Sequence, residues 1–142
     1  LKTKIAVGVV LWLFGLLNSS MAHAAVRAII SKKSQTMTVW VDGAYYTSYS
    51  VSTGARGYGT PSGTWRPTRL AARYFSRKYD NAPMPYSVFF RGGYAFHGTN
   101  YVKRLGTPAS HGCVRLHTRN AAAFYAMVQH EGRKNVRIVI TR

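Results

Sequence analysis

Cys113 is the single cysteine of this 142-residue chain, so it has no partner for an internal disulfide. A lone thiol is either an inert core side chain or a nucleophile. Its neighbours favour the second reading. His97 stands sixteen residues upstream, in the stretch AFHGTNYVKRLGTPASHGCVRL. An imidazole close to a thiol lowers the cost of making the thiolate, and the thiolate attacks carbonyl carbon. Ser110-His111-Gly112-Cys113 reads as a tight turn in which Gly112 lets a substrate approach the backbone. The amides of Gly112 and Cys113 are then candidates to hold an oxyanion. A metal site built from His97, His111, Cys113 and His117 is the alternative, although it lacks a dedicated zinc spacing and a second thiol.

Such a pair works only if the fold brings a strand-end histidine against a strand-start cysteine. The chain has the pattern for it. Residues 25–30 read as a first strand. Met37, Val39 and Val41 alternate with Thr36, Thr38 and Trp40, the period of a half-buried strand. Asp42-Gly43 marks a hairpin turn, and residues 45–52 form its second arm. Residues 54–63 hold four glycines and a proline and read as an irregular loop. Residues 66–85 are basic and aromatic, with prolines at 67, 83 and 85 that argue against one long helix. Their charges, from Arg66 to Lys78, read as a solvated face or as a basic lip over a cleft.

Residues 86–90 and 94–97 read as a hairpin around Arg91-Gly92-Gly93, with residues 98–110 as a connecting loop and 113–116 as a short strand. Thr118 is placed to cap a helix through Val128 that stops at Gly132. His117 is read as a polar residue at the start of that helix. A last strand spans 136–140. Seven or eight short strands and one helix in the C-terminal half make a mainly β domain, a sandwich or barrel.

Charge narrows the chemistry. Twenty Lys and Arg oppose three acids, Asp42, Asp80 and Glu131, for a formal net charge of +17. That excludes carboxylate-cluster chemistry such as two-metal hydrolysis or a paired-carboxylate glycosidase. It favours polyanionic partners. At the N-terminus, Lys2 and Lys4 precede an apolar run over residues 5–17 and then Ala22-His23-Ala24. This is the pattern of a secretory signal peptide over 1–24, cleaved to leave a domain over 25–142. An uncleaved anchor is the alternative, but the run is short for a bilayer span. The chain opens on Leu1, which fits a non-standard start codon or a start further upstream. Export to the periplasm makes cell-wall polymers and anionic lipid surfaces the available polyanions rather than nucleic acid. No stable membrane span is expected once the leader is removed. On charge alone, a non-catalytic basic wall-binding or nucleic-acid-binding module is the competing reading.

The motif residues carry a resemblance. His97-Gly98-Thr99-Asn100 with Ser110-His111-Gly112-Cys113-Val114-Arg115-Leu116 resembles the signature of the L,D-transpeptidase catalytic domain, the YkuD family. Val51-Ser52-Thr53-Gly54, Gly59-Thr60-Pro61-Ser62-Gly63-Thr64 and Met84-Pro85-Tyr86 are similar to other stretches of that family. The likeness runs from about residue 29 to 141. Val114 and Leu116 stand where Ile and Met are common, a mild departure.

The resemblance implies an L,D-transpeptidase-like β-sandwich or barrel with Cys113 as nucleophile and His97 as base. It implies that the Gly98 carbonyl orients the imidazole and that His111 contacts substrate or transition state. It further implies that Arg115 binds a substrate carboxylate and that Ser110 supports the turn or the ligand. The implied reaction is acyl transfer from a peptidoglycan tetrapeptide stem through a Cys113 thioester. The acceptor is a second stem (giving a 3→3 cross-link), an outer-membrane protein, a D-amino acid, or water in an L,D-carboxypeptidase. No cofactor and no metal is implied.

Overall fold

The computed structural model describes residues 24–142, so the leader expected over 1–24 lies outside the described residues except for Ala24. The chain order is β1 (Val26–Ser31), β2 (Thr36–Val41), β3 (Ala44–Ser52), β4 (Gly63–Trp65), β5 (Arg69–Ala71), β6 (Phe75–Ser76), β7 (Ala82–Pro83), β8 (Ser87–Arg91), β9 (Tyr94–Thr99), β10 (Val114–His117), α1 (Thr118–Glu131) and β11 (Val136–Thr141). Nine of the strands form one curled sheet, a half-barrel, in the order β4-β11-β1-β2-β3-β10-β9-β8-β5. The other two, β6 and β7, pair as a separate small hairpin. The domain is mainly β with one α-helix among the described residues.

Alternation explains how this sheet closes on a core. Val26, Ala28 and Ile30 of β1, Met37 and Val39 of β2, and Val136, Ile138 and Ile140 of β11 all turn inward and are buried. The residues between them face outward, as a period of two requires. Helix α1 contributes Ala121, Phe124 and Val128, spaced to share one face. It packs against β8, β9 and β10 and links β10 to β11. Burying this apolar face, rather than helix propensity, holds a helix of 14 residues in place.

The structure corrects several expectations. Strands β4, β5, β6 and β7 lie where the sequence reads as loop or as a basic aromatic stretch. Each has only two or three residues, too few to display a period. Tertiary pairing with β11 and β8 makes β4 and β5 strands. The residue that caps α1 is His117, whose ring nitrogen accepts from the Arg119 amide at 3.2 Å; Thr118 is already helical. Gly132 ends the helix with φ 84°, a left-handed value that suits glycine. Cys113 immediately precedes β10 instead of opening it. No helix among the described residues is long and apolar enough to cross a membrane.

Candidate active site

Strands β9 and β10 run side by side in parallel, with His97 opposite Arg115 and Phe96 opposite Val114. Phe96, Val114 and Leu116 enter the core. Their neighbours take the opposite side. His97, Thr99, Cys113 and Arg115 accordingly line one cleft of about 650 Å³. Ser110 and His111 line it as well, and its far wall is the β6–β7 hairpin with Lys78, Tyr79 and Asp80. Two residues sixteen apart in sequence thus share a cleft because two adjacent strands deliver them to it.

The imidazole is held in one orientation. His97 Nδ1 lies 2.7 Å from the Gly98 carbonyl oxygen, so Nδ1 donates and Nε2 is left as the acceptor. His97 is 6% exposed. Burial pushes its pKa down to about 4, with the Gly98 hydrogen bond opposing the shift and the Arg115 charge adding to it. Gly98 allows the arrangement sterically. A Cβ there would stand 2.9 Å from the Thr118 Cα, so a side chain would push the start of α1 off β9.

Cys113 is half-buried, packed beside Met84, Phe89 and Ala95. Its sulfur lies 3.8 Å from the Gly93 carbonyl oxygen. Burial raises the thiol pKa, while hydrogen bonding from the Ala95 backbone and the Arg115 charge act against the rise. Both shifts favour the neutral forms, a thiol and an imidazole, over a preformed ion pair. Among the described residues no hydrogen bond joins the two. Catalytic hydrogen bonds are often loose without substrate and tighten only in the complex.

Two side chains, Ser110 and Thr60, tie the turn before Cys113. Ser110 is buried; its hydroxyl donates to the Cys113 carbonyl at 2.5 Å and accepts the Gly112 amide at 3.0 Å. Thr60, in the glycine-rich loop, donates to the Gly112 carbonyl at 2.8 Å and accepts the Gly54 amide at 2.9 Å. Gly112 has φ 118°, and a Cβ would meet the Tyr94 ring at 2.6 Å, so only glycine fits. One expectation changes here. The Gly112 amide is committed to Ser110 and is not available to an oxyanion in this arrangement.

His111 is exposed but framed. Its ring stacks on Tyr79 at 4.4 Å and meets Tyr58 edge-on at 4.7 Å, joining the glycine-rich loop to the β6–β7 hairpin. Arg115 donates to the Ala109 carbonyl at 3.3 Å and lies over Tyr101 at 5.8 Å. The basic lip is narrower than expected. Lys78 lines the cleft, but Arg69 stacks on Phe89 at 3.9 Å and Arg66 binds the Lys134 carbonyl. No three His, Cys, Asp or Glu side chains gather into a metal site among the described residues. His117 serves the helix cap instead. Thr60 lies in the Gly59–Thr64 stretch that carries the resemblance, but its bridging role was not foreseen, and Tyr58 and Tyr79 were not singled out. A threonine or tyrosine in a loop has no periodic signature.

A family model described as the L,D-transpeptidase catalytic domain, YkuD, matches residues 25–140. The chain belongs to this family. Solved structures agree with the L,D-transpeptidase fold. An L,D-transpeptidase from Mycobacterium smegmatis superposes with a TM-score of 0.73 at 25% identity, over 84% of this chain and 59% of that one. One from Stackebrandtia nassauensis gives 0.73 at 25% identity, over 88% and 62%. One from Mycobacterium tuberculosis H37Rv gives 0.74 at 20% identity, over 83% and 58%. The chain thus spans about three-fifths of the length of these L,D-transpeptidases. No curated protein matches it.

Proposed function

We propose that this chain is an exported cysteine L,D-transpeptidase acting on peptidoglycan tetrapeptide stems in the periplasm. The observation that carries the reading is the cleft shared by Cys113 and His97, with the imidazole fixed by Gly98 so that Nε2 is the free base. Cys113 attacks the carbonyl between the L-centre of meso-diaminopimelate and the terminal D-alanine, and its proton passes to His97 Nε2. The C–N bond breaks, D-alanine leaves with that proton on its amine, and a thioester remains. An acceptor amine then attacks the thioester and gives its proton to His97. The amide forms and the departing sulfur is reprotonated, which restores the neutral pair.

The remaining residues take supporting roles in this scheme. Arg115 offers a guanidinium fork to a stem carboxylate. With the Gly112 amide engaged, the oxyanion falls to the Cys113 amide and to His111 at the cleft wall. Ser110 keeps the turn in shape. The acceptor is a second stem, a D-amino acid or an outer-membrane protein; water in that place gives an L,D-carboxypeptidase. Export rests on the leader pattern over 1–24.

Intact-mass measurement after incubation with a carbapenem tests the nucleophile. A covalent adduct on the native protein, absent from Cys113→Ala, is the expected result. Folded protein that forms no adduct would leave only a basic wall-binding module. A disaccharide-tetrapeptide supplied with and without an amine acceptor separates transfer from hydrolysis by its products.

A further inference from the structure

Away from the cleft, the outer face of the sheet carries a feature that catalysis does not use. Arg137 of β11 pairs with Arg27 of β1, Arg27 pairs with Trp40 of β2, and Trp40 pairs with Tyr45 of β3. These four residues form one row across four strands, about 14 Å long at ordinary strand spacing. Core residues flank each of the three on β1, β2 and β11, so Arg27, Trp40 and Arg137 project to the outside. A bulge at the same position adds Tyr46, which has no partner of its own in the ladder. Tyr45 is 59% exposed and Tyr46 60% exposed, among the most open large apolar side chains described. The Trp40 and Tyr45 rings meet edge-on at 6.0 Å. None of the cleft-lining residues comes from β1, β2 or β11.

We propose that this row is a docking site for the saccharide backbone of the same anionic wall polymer whose stems enter the cleft. The proposal rests on the transpeptidase reading for the identity of the polymer. Three features select a saccharide. Aromatic side chains supply apolar faces for sugar rings, with a polar tip on Tyr to share hydrogen bonds. Arg27 and Arg137 complement the carboxylates that stems hang along such a strand. Beyond the aromatic row the same face continues as hydroxyls, Thr38 against Ser48 at 3.2 Å and Thr36 opposite Ser50. A lipid surface matches this less well, because hydroxyl rows gain nothing from acyl chains. A second contact remote from the cleft would keep the enzyme on one strand while the cleft samples successive stems.

Co-sedimentation with purified peptidoglycan sacculi tests the site, using the whole chain after leader removal. Two variants are compared with native protein: Tyr45→Ser with Tyr46→Ser, and Arg27→Gln with Arg137→Gln. Carbapenem adduct formation, read by intact mass, reports separately that the cleft is folded and reactive. The expected result is binding to sacculi about tenfold weaker in both variants with unchanged adduct formation. Native-like binding by both variants overturns the proposal. So does a variant that loses binding only to vesicles of phosphatidylglycerol and phosphatidylethanolamine, which would assign the face to a membrane. Failure of the native protein to form any adduct would remove the transpeptidase reading, while the sedimentation result would still decide the docking face.

Discussion

In the proposed mechanism, burial is what would keep His97 available as a base at low pH. A histidine titrating near its ordinary 6.5 would be half protonated at that pH, whereas one lowered to about 4 stays neutral there. The rate of carbapenem adduct formation should therefore hold as pH drops below 6.5 and decline only near 4. A decline centred on 6.5 would mean that the ring is solvated in the working state. The same shift bears on stability. Between 6.5 and about 4 the unfolded chain binds a proton at this site and the folded chain does not, so stability is lost as pH falls through that window. The loss is of the order of 3 kcal/mol at most, visible as a lower urea midpoint. The raised thiol pKa of Cys113 has the complementary meaning: burial disfavours the free thiolate, so the proposed attack would pass the thiol proton to His97 as the bond to carbon forms. Cys113 and His97 were readable as candidates from their types and spacing, and the fold places both in one cleft. Their protonation states were not, because those depend on what surrounds them in space.

The glycine-rich loop between β3 and β4 shapes the turn before Cys113 through one side chain. Thr60 is buried and bridges the Gly54 amide to the Gly112 carbonyl. Replacing it with valine keeps the shape and strands both groups without a partner. Thr60→Val should cost about 1–3 kcal/mol in denaturant unfolding and slow adduct formation at Cys113, and Thr60→Ser should recover both. Unchanged kinetics in the valine variant would show that Ser110 alone suffices to hold the turn. The main hairpins and the helix were legible because each is long enough to show its period and to carry its turn residues. The short strands β4 to β7 were not, since two or three residues adopt a strand only when a neighbour offers its hydrogen bonds. The cap of α1 was misread by one position for a related reason. Thr118 has the right chemistry, but its neighbour His117 ends β10 at the extended backbone angles a cap requires.

Across the molecule, the excess of positive charge acts before any contact forms. With +17 on the chain, capture of an anionic wall polymer should weaken steadily as salt rises beyond about 0.15 M, where the screening length is about 8 Å. Sedimentation with sacculi over a salt series measures this directly. Salt-independent capture would instead place the affinity in short-range contacts such as the aromatic row of β2 and β3.

Composition and order along the chain were enough for the class of fold, the candidate thiol and imidazole, and the excess of positive charge. Each of these depends on local residue identity, alternation or a simple sum of charges. The tertiary structure decided which surfaces exist at all. It set His97 opposite Arg115, packed the β6–β7 hairpin against His111, used up the Gly112 amide and put Arg137, Arg27, Trp40 and Tyr45 in one row. Those outcomes come from strand order and register, which join residues far apart in sequence and so leave no short-range trace.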